Sequence, residues 1–103
     1  MRIIAKSAIT EFCAKNKRKD APAASEALWA WHNEVKAAVW KQSADVKSKY
    51  KSASIVSGNR VVFNICGNKY RLVARIKYKP SGIVWIRFIG THSQYDKINA
   101  EEV

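Results

Sequence analysis

Gly67-Asn68-Lys69-Tyr70-Arg71-Leu72-Val73-Ala74-Arg75-Ile76-Lys77 is the stretch whose reading decides the fold. Side chains along a strand point alternately to its two faces. Tyr70, Leu72, Ala74 and Ile76 therefore share one side, and Lys69, Arg71, Val73, Arg75 and Lys77 the other. The first side is apolar and the second cationic. Just upstream, Arg60-Val61-Val62-Phe63-Asn64-Ile65 alternates in the same way, with Val61, Phe63 and Ile65 opposite Arg60, Val62 and Asn64. Gly67-Asn68 supplies the turn of a β-hairpin. A third run follows the Pro80-Ser81-Gly82 turn. Val84, Ile86 and Phe88 make an apolar face there, while Ile83, Trp85, Arg87 and Ile89 make a mixed one, which sets Arg87 beside the other cations.

Helical spacing dominates the N-terminal half. Ala24, Leu28, Trp31, Val35 and Val39 recur at helical intervals from Pro22 to about Trp40, with Pro22 in the first turn. Trp29 and Trp40 lie off that stripe, where an exposed aromatic could meet a partner. Core packing is the commoner use of such residues, and base stacking the rarer one. His32 reads as surface or interface. Before this helix, Arg2 to Ala5 suits a short strand, and Ser7 stands as N-cap of a helix carrying Ile9, Phe12 and Cys13. The basic run Lys15-Asn16-Lys17-Arg18-Lys19 lacks apolar periodicity and reads as a solvated helix end, or as a patch for an RNA backbone. After the long helix, Ser43-Ala44-Asp45-Val46 opens a short one, and Ser52 to Val56 reads as a strand. Helices followed by a largely antiparallel sheet spell an α+β domain over residues 1–103, with the helices on one face of the sheet and a short helix at the C-terminus.

Nineteen Lys and Arg against eight Asp and Glu give a net charge of +11 on 103 residues, a balance that attracts polyanions. A chain of this length buries roughly 60 to 70% of its unfolded surface, enough for one modest core. Cys13 and Cys66 are far apart and belong to no CxxC pattern, so neither a zinc site nor a disulfide framework is indicated; no metal and no cofactor are expected. No apolar run approaches the roughly 20 residues of a membrane span, and the first residues are too charged for a secretory signal, so the expected compartment is the cytoplasm.

Cutting RNA without a metal requires a group to take the 2′-hydroxyl proton, a group to protonate the leaving oxygen, and cations to hold the charge that builds on phosphorus. Arg71 is the foremost cation, because a planar guanidinium grips phosphate through two hydrogen bonds and a strand holds it still. Lys69 and Arg87 come next, while Arg75 and Lys77 lie further along. His92 follows the last strand directly, and imidazole is the side chain whose ordinary titration range spans neutrality. Thr91 and Gln94 have the spacing of a capping box, which puts His92 and Tyr95 on one face of a new helix. No paired carboxylates and no Gly-rich phosphate loop accompany them, which argues against a two-metal nuclease or a glycosidase.

The runs Arg60 to Ile65, Gly67 to Val73 and Ile86 to His92, ending in Tyr95-Asp96-Lys97-Ile98, resemble the HigB family of bacterial toxins within the RelE-like superfamily of mRNA interferases. The resemblance also takes in Trp40, Ala44 to Lys47 and Tyr50 to Ser54. It implies a ribosome-dependent endoribonuclease that cuts mRNA in the ribosomal A site, contacts ribosomal RNA, and is neutralised by a HigA-like helix-turn-helix antitoxin. Carried over by position, the superfamily's strand arginine falls on Arg71, the basic or histidine position after the last strand on His92, and the C-terminal aromatic on Tyr95. Where RelE itself places lysines on the preceding strand, this chain has Val62 and Asn64, so the resemblance implies that Lys69 or Arg60 provides the equivalent charge. The catalytic set so implied is Arg71, His92, Tyr95 and Lys69. The RNA-binding set is Arg60, Lys69, Arg71, Arg75, Arg87 and Lys97. A non-catalytic basic module that binds RNA or the ribosome is the alternative from another class.

Overall fold

A computed structural model describes residues 1–103. The chain runs β1 (Arg2–Ile4), α1 (Lys6–Lys15), α2 (Ala21–Ala37), α3 (Ser43–Lys49), β2 (Ser54–Val56), β3 (Arg60–Ile65), β4 (Tyr70–Lys77), β5 (Ile83–Thr91) and α4 (His92–Tyr95). The five strands form one sheet in the order β1-β5-β4-β3-β2. Every neighbouring pair is antiparallel except β1 with β5, which is parallel. This is an α+β fold, as the order of elements predicts.

The alternation in β3 and β4 is kept by the structure. Val61, Phe63, Ile65, Tyr70, Leu72, Ala74 and Ile76 are all buried, and they pack with Ile9, Leu28, Trp31, Val35 and Val46 from the helices. Burying one such aliphatic or aromatic side chain stabilises the fold by about 1.5 to 3 kcal/mol, so this layer dominates its energetics. Phe63 sits at the centre, with Trp31 5.3 Å, Tyr50 5.2 Å and Trp40 6.4 Å away, ring to ring.

β5 departs from the alternating pattern. Val73 pairs with Phe88 but Ala74 pairs with Ile86, so Arg87 is an extra residue in a β-bulge. Beyond the bulge the parity switches: Ile89 and Thr91 lie opposite Leu72 and Tyr70 on the helix side, and Phe88 lies opposite Val73 on the other. Phe88 therefore does not continue the face of Val84 and Ile86. Arg87 does not join the strand cations either; it is exposed and borders a shallow groove with Ala8, Glu11, Phe12 and Lys15 of α1.

The face away from the helices is not an open cationic surface. Val62 and Val73 are 4% and 0% exposed there. The segment after α4 returns along that face: Arg60 donates from Nε (3.1 Å) and Nη2 (2.6 Å) to the Val103 main-chain oxygen.

Further expectations give way to tertiary packing. α2 stops at Ala37, short of Trp40, and Val39 is left 79% exposed. His32 is buried, with the Trp29 ring 5.5 Å away, and is not surface. Trp40 is buried as well, and half-buried Trp29 carries the Lys6 ammonium over its ring at 5.7 Å. α1 begins after Ala5 with no side-chain cap, so Ser7 lies inside the helix. No helix is long and apolar enough to cross a membrane.

Candidate nucleic-acid interface

The turn into β4 and the end of β5 meet at one corner of the sheet. There the His92 N–H donates to the Lys69 carbonyl at 3.1 Å, and Arg71 pairs with Gly90 across the strands. Thr91 then turns the chain into α4. Its Oγ1 accepts from Gln94 N–H at 3.2 Å, and Gln94 Oε1 accepts from Thr91 N–H at 2.9 Å. The capping box read from the sequence is formed in full, and it sets the direction in which His92 and Tyr95 leave the sheet.

Arg71 is held before any ligand arrives. Nη1 donates to the carbonyls of Asn68 (2.9 Å) and Tyr70 (3.2 Å), and Nη2 donates to Asn68 Oδ1 (2.7 Å). Three of the five guanidinium donors are occupied, which leaves two for one bidentate grip on an anion. The guanidinium also lies 5.9 Å from the Tyr95 ring centre, and that ring is 6.5 Å from Phe88. His92 is exposed, with Nδ1 3.9 Å from Asp96 Oδ2, too far for a hydrogen bond.

Lys69, Arg71, His92 and Tyr95 thus come to one corner. Arg60 does not; it is bound to the Val103 oxygen and the Gly58 carbonyl near the far end of β3. Arg75 sits four residues along β4 from Arg71, about 13 Å at the usual strand rise, with its guanidinium over Trp85 at 5.4 Å. Arg87 is at the bulge, and Lys97 is exposed beyond α4.

The sequence did not point to the neighbours of this corner. Tyr70 is fully buried beneath α1, edge-on to Phe12. Its hydroxyl donates to Asp20 Oδ1 at 2.6 Å and accepts from Asn16 Nδ2 at 3.0 Å, which ties the basic α1–α2 loop to the strand between Lys69 and Arg71. Burial, reinforced by the accepting Asp20 carboxylate, pushes the Tyr70 phenol above its ordinary range. Asn68, three residues before Arg71, was legible as a turn residue but not as the clamp it forms. No three His, Cys, Asp or Glu side chains come together as a metal-ligand set. The largest groove, about 480 Å³, lies at the other end of β4, between Ala38–Lys41 and Tyr78–Gly82, away from these residues.

A small α+β protein with helices packed on one face of a five-stranded mixed sheet is consistent with the RelE-like fold. The chain belongs to the HigB toxin family: residues 24–98 match the family model, described as the RelE-like toxic component of a toxin-antitoxin system. No curated protein matches the chain.

Proposed function

We propose that this protein is a ribosome-dependent endoribonuclease toxin that inhibits translation by cutting mRNA in the ribosomal A site through attack of a 2′-hydroxyl on the adjacent phosphate, without a metal. The observation that carries this reading is the meeting of Lys69, Arg71, His92 and Tyr95 at one corner, with Arg71 clamped by Asn68 and its two remaining donors unused. In this mechanism Arg71 grips the scissile phosphate and stabilises the charge that builds on its oxygens, aided by the Lys69 ammonium. His92 transfers a proton to or from the reacting oxygens, and Tyr95 orients the RNA by stacking on a base. The proposed partners are mRNA, ribosomal RNA and a HigA-like antitoxin, and the proposed setting is the cytoplasm.

The test is controlled expression in growing cells with cleaved transcripts mapped at nucleotide resolution. Growth should stop, cuts should appear only in translated frames, and Arg71→Ala should restore growth with the protein still folded. A 2′-deoxy sugar at the cut position should block the reaction; cleavage that persists would exclude hydroxyl attack. If the protein binds ribosomes but no transcript is cut, it is a non-catalytic binding module.

A further inference from the structure

Two grooves flank the loop between α1 and α2. One, of about 450 Å³, is bordered by Phe12, Lys15, Lys17, Arg18, Thr91 and Gln94. The other, of about 430 Å³, is bordered by Arg18, Lys19, Asp20 and Lys69. Lys15, Lys17, Arg18 and Lys19 are all exposed. Asp20 is the acid among them, and its Oδ1 is already engaged by the Tyr70 hydroxyl at 2.6 Å, with Arg18 Nε at 3.7 Å. The loop is also fixed at its start, because Asn16 Oδ1 accepts from Arg18 N–H at 3.3 Å while Asn16 Nδ2 donates to Tyr70. Four cations, Lys15 at the end of α1 and Lys17, Arg18 and Lys19 on the tethered loop, are therefore presented beside Thr91, Gln94 and Lys69, next to the Arg71–His92 corner.

We infer that the Lys15–Lys19 loop is a second phosphate-binding site, which seats the backbone of single-stranded RNA on nucleotides neighbouring the Arg71–His92 corner, with Lys69 shared between the two. This rests on the RNA reading of that corner for its choice of ligand. Residues 15–19 precede the part of the chain that matches the HigB family, so family membership does not assign them. RNA fits better than a segment of the antitoxin. A docked helix needs a row of apolar anchor pockets, and the first groove offers only Phe12 and Ile89 as apolar lining, the second none. A phosphate chain needs only spaced cations.

The test measures binding of the intact protein to a short single-stranded RNA made uncuttable by 2′-O-methyl groups, by fluorescence anisotropy across a salt series. Each phosphate contact to a single strand contributes about 0.7 to the slope of log affinity against log salt, so the triple variant Lys17→Ala, Arg18→Ala and Lys19→Ala should lower that slope by about 2 and weaken binding at about 0.1 M salt by roughly 100-fold. Lys36→Ala, Lys49→Ala and Lys51→Ala together remove the same charge from exposed positions elsewhere and should leave the slope within about 0.5. Tyr70→Phe keeps every charge but cuts the tether, and should weaken binding several-fold. Equal effects of the two triple variants, or wild-type binding by the loop variant, overturn the inference. So does a loop variant that loses the antitoxin while keeping RNA. A wild-type protein that cuts no RNA but shows the loop-specific loss defeats the nuclease reading and leaves this site standing. One that cuts RNA yet binds it independently of the loop does the reverse.

Discussion

Gly90 is where the geometry of the corner is most exposed to a single change, so Gly90→Ala is the sharpest test of how α4 is positioned. The backbone of Gly90 is ordinary for an L residue, so the cost of a side chain is steric. An added Cβ would sit 2.6 Å from Phe88 Cζ and 2.8 Å from Gln94 Oε1, where ordinary contact begins at 3.4 Å. The ring tip has to retreat by nearly an ångström, an overpacking penalty of about 1 to 3 kcal/mol. Gln94 Oε1 also has to move, and it is the acceptor of the Thr91 N–H, so about 1 kcal/mol of capping hydrogen bond goes with it. The sum, about 2 to 4 kcal/mol, should lower the urea midpoint by about 1 to 2 M for an unfolding slope near 2 kcal/mol/M. The control is the double variant with Phe88→Ala. With the ring gone its clash disappears, and the two changes together should cost at least about 1 kcal/mol less than their sum. Additivity to within about 0.5 kcal/mol, or an unchanged midpoint for Gly90→Ala, would falsify the packing account of this corner.

Stability should fall as pH rises past about 10, the ordinary tyrosine range, because burial holds the Tyr70 phenol protonated above it. The folded state keeps that proton more tightly than the unfolded chain, so the contribution is complete below pH 10 and is lost as pH climbs through the folded-state value. Tyr70→Phe should flatten this part of a urea-midpoint profile, and identical profiles would contradict it. His92→Gln should slow mRNA cleavage by about 10² to 10⁴ while the protein still co-sediments with ribosomes; unaltered cleavage removes His92 from the chemistry. Trp31 Nε1 is buried without a hydrogen-bond partner. Trp31→Phe should therefore cost less than about 1.5 kcal/mol, since losing an unsatisfied donor offsets the lost ring volume, whereas Leu28→Ala costs about 2 to 5 kcal/mol. A loss above about 3 kcal/mol for Trp31→Phe would mean that the donor is satisfied.

The parts of this molecule legible in its sequence are those set by short-range rules. Strict alternation placed β3 and β4 and their buried faces, and the Thr91–Gln94 spacing gave the cap of α4. Periodicity cannot reveal the bulge at Arg87, since one extra residue switches parity without altering composition, and so strict alternation puts Phe88 on the face opposite to the one it occupies. His32 looked like a surface residue because its cover, Trp29, is a neighbour on the same helix whose ring direction no pattern encodes. The tie between Tyr70 and Asp20 spans 50 residues. The return of the chain to Arg60 involves a segment with no periodicity at all. Both belong to tertiary structure, and the second removes Arg60 from the free cations.

Deleting Arg87 would leave an unbroken ladder, because Ile86 and Phe88 already face the consecutive partners Ala74 and Val73. No other side chain would have to change sides. The extra residue therefore contributes curvature, bending the last stretch of β5 and so aiming α4. A shortened variant would be expected to fold and keep its core while pointing His92 elsewhere, which separates the architecture of the sheet from the orientation of what it carries.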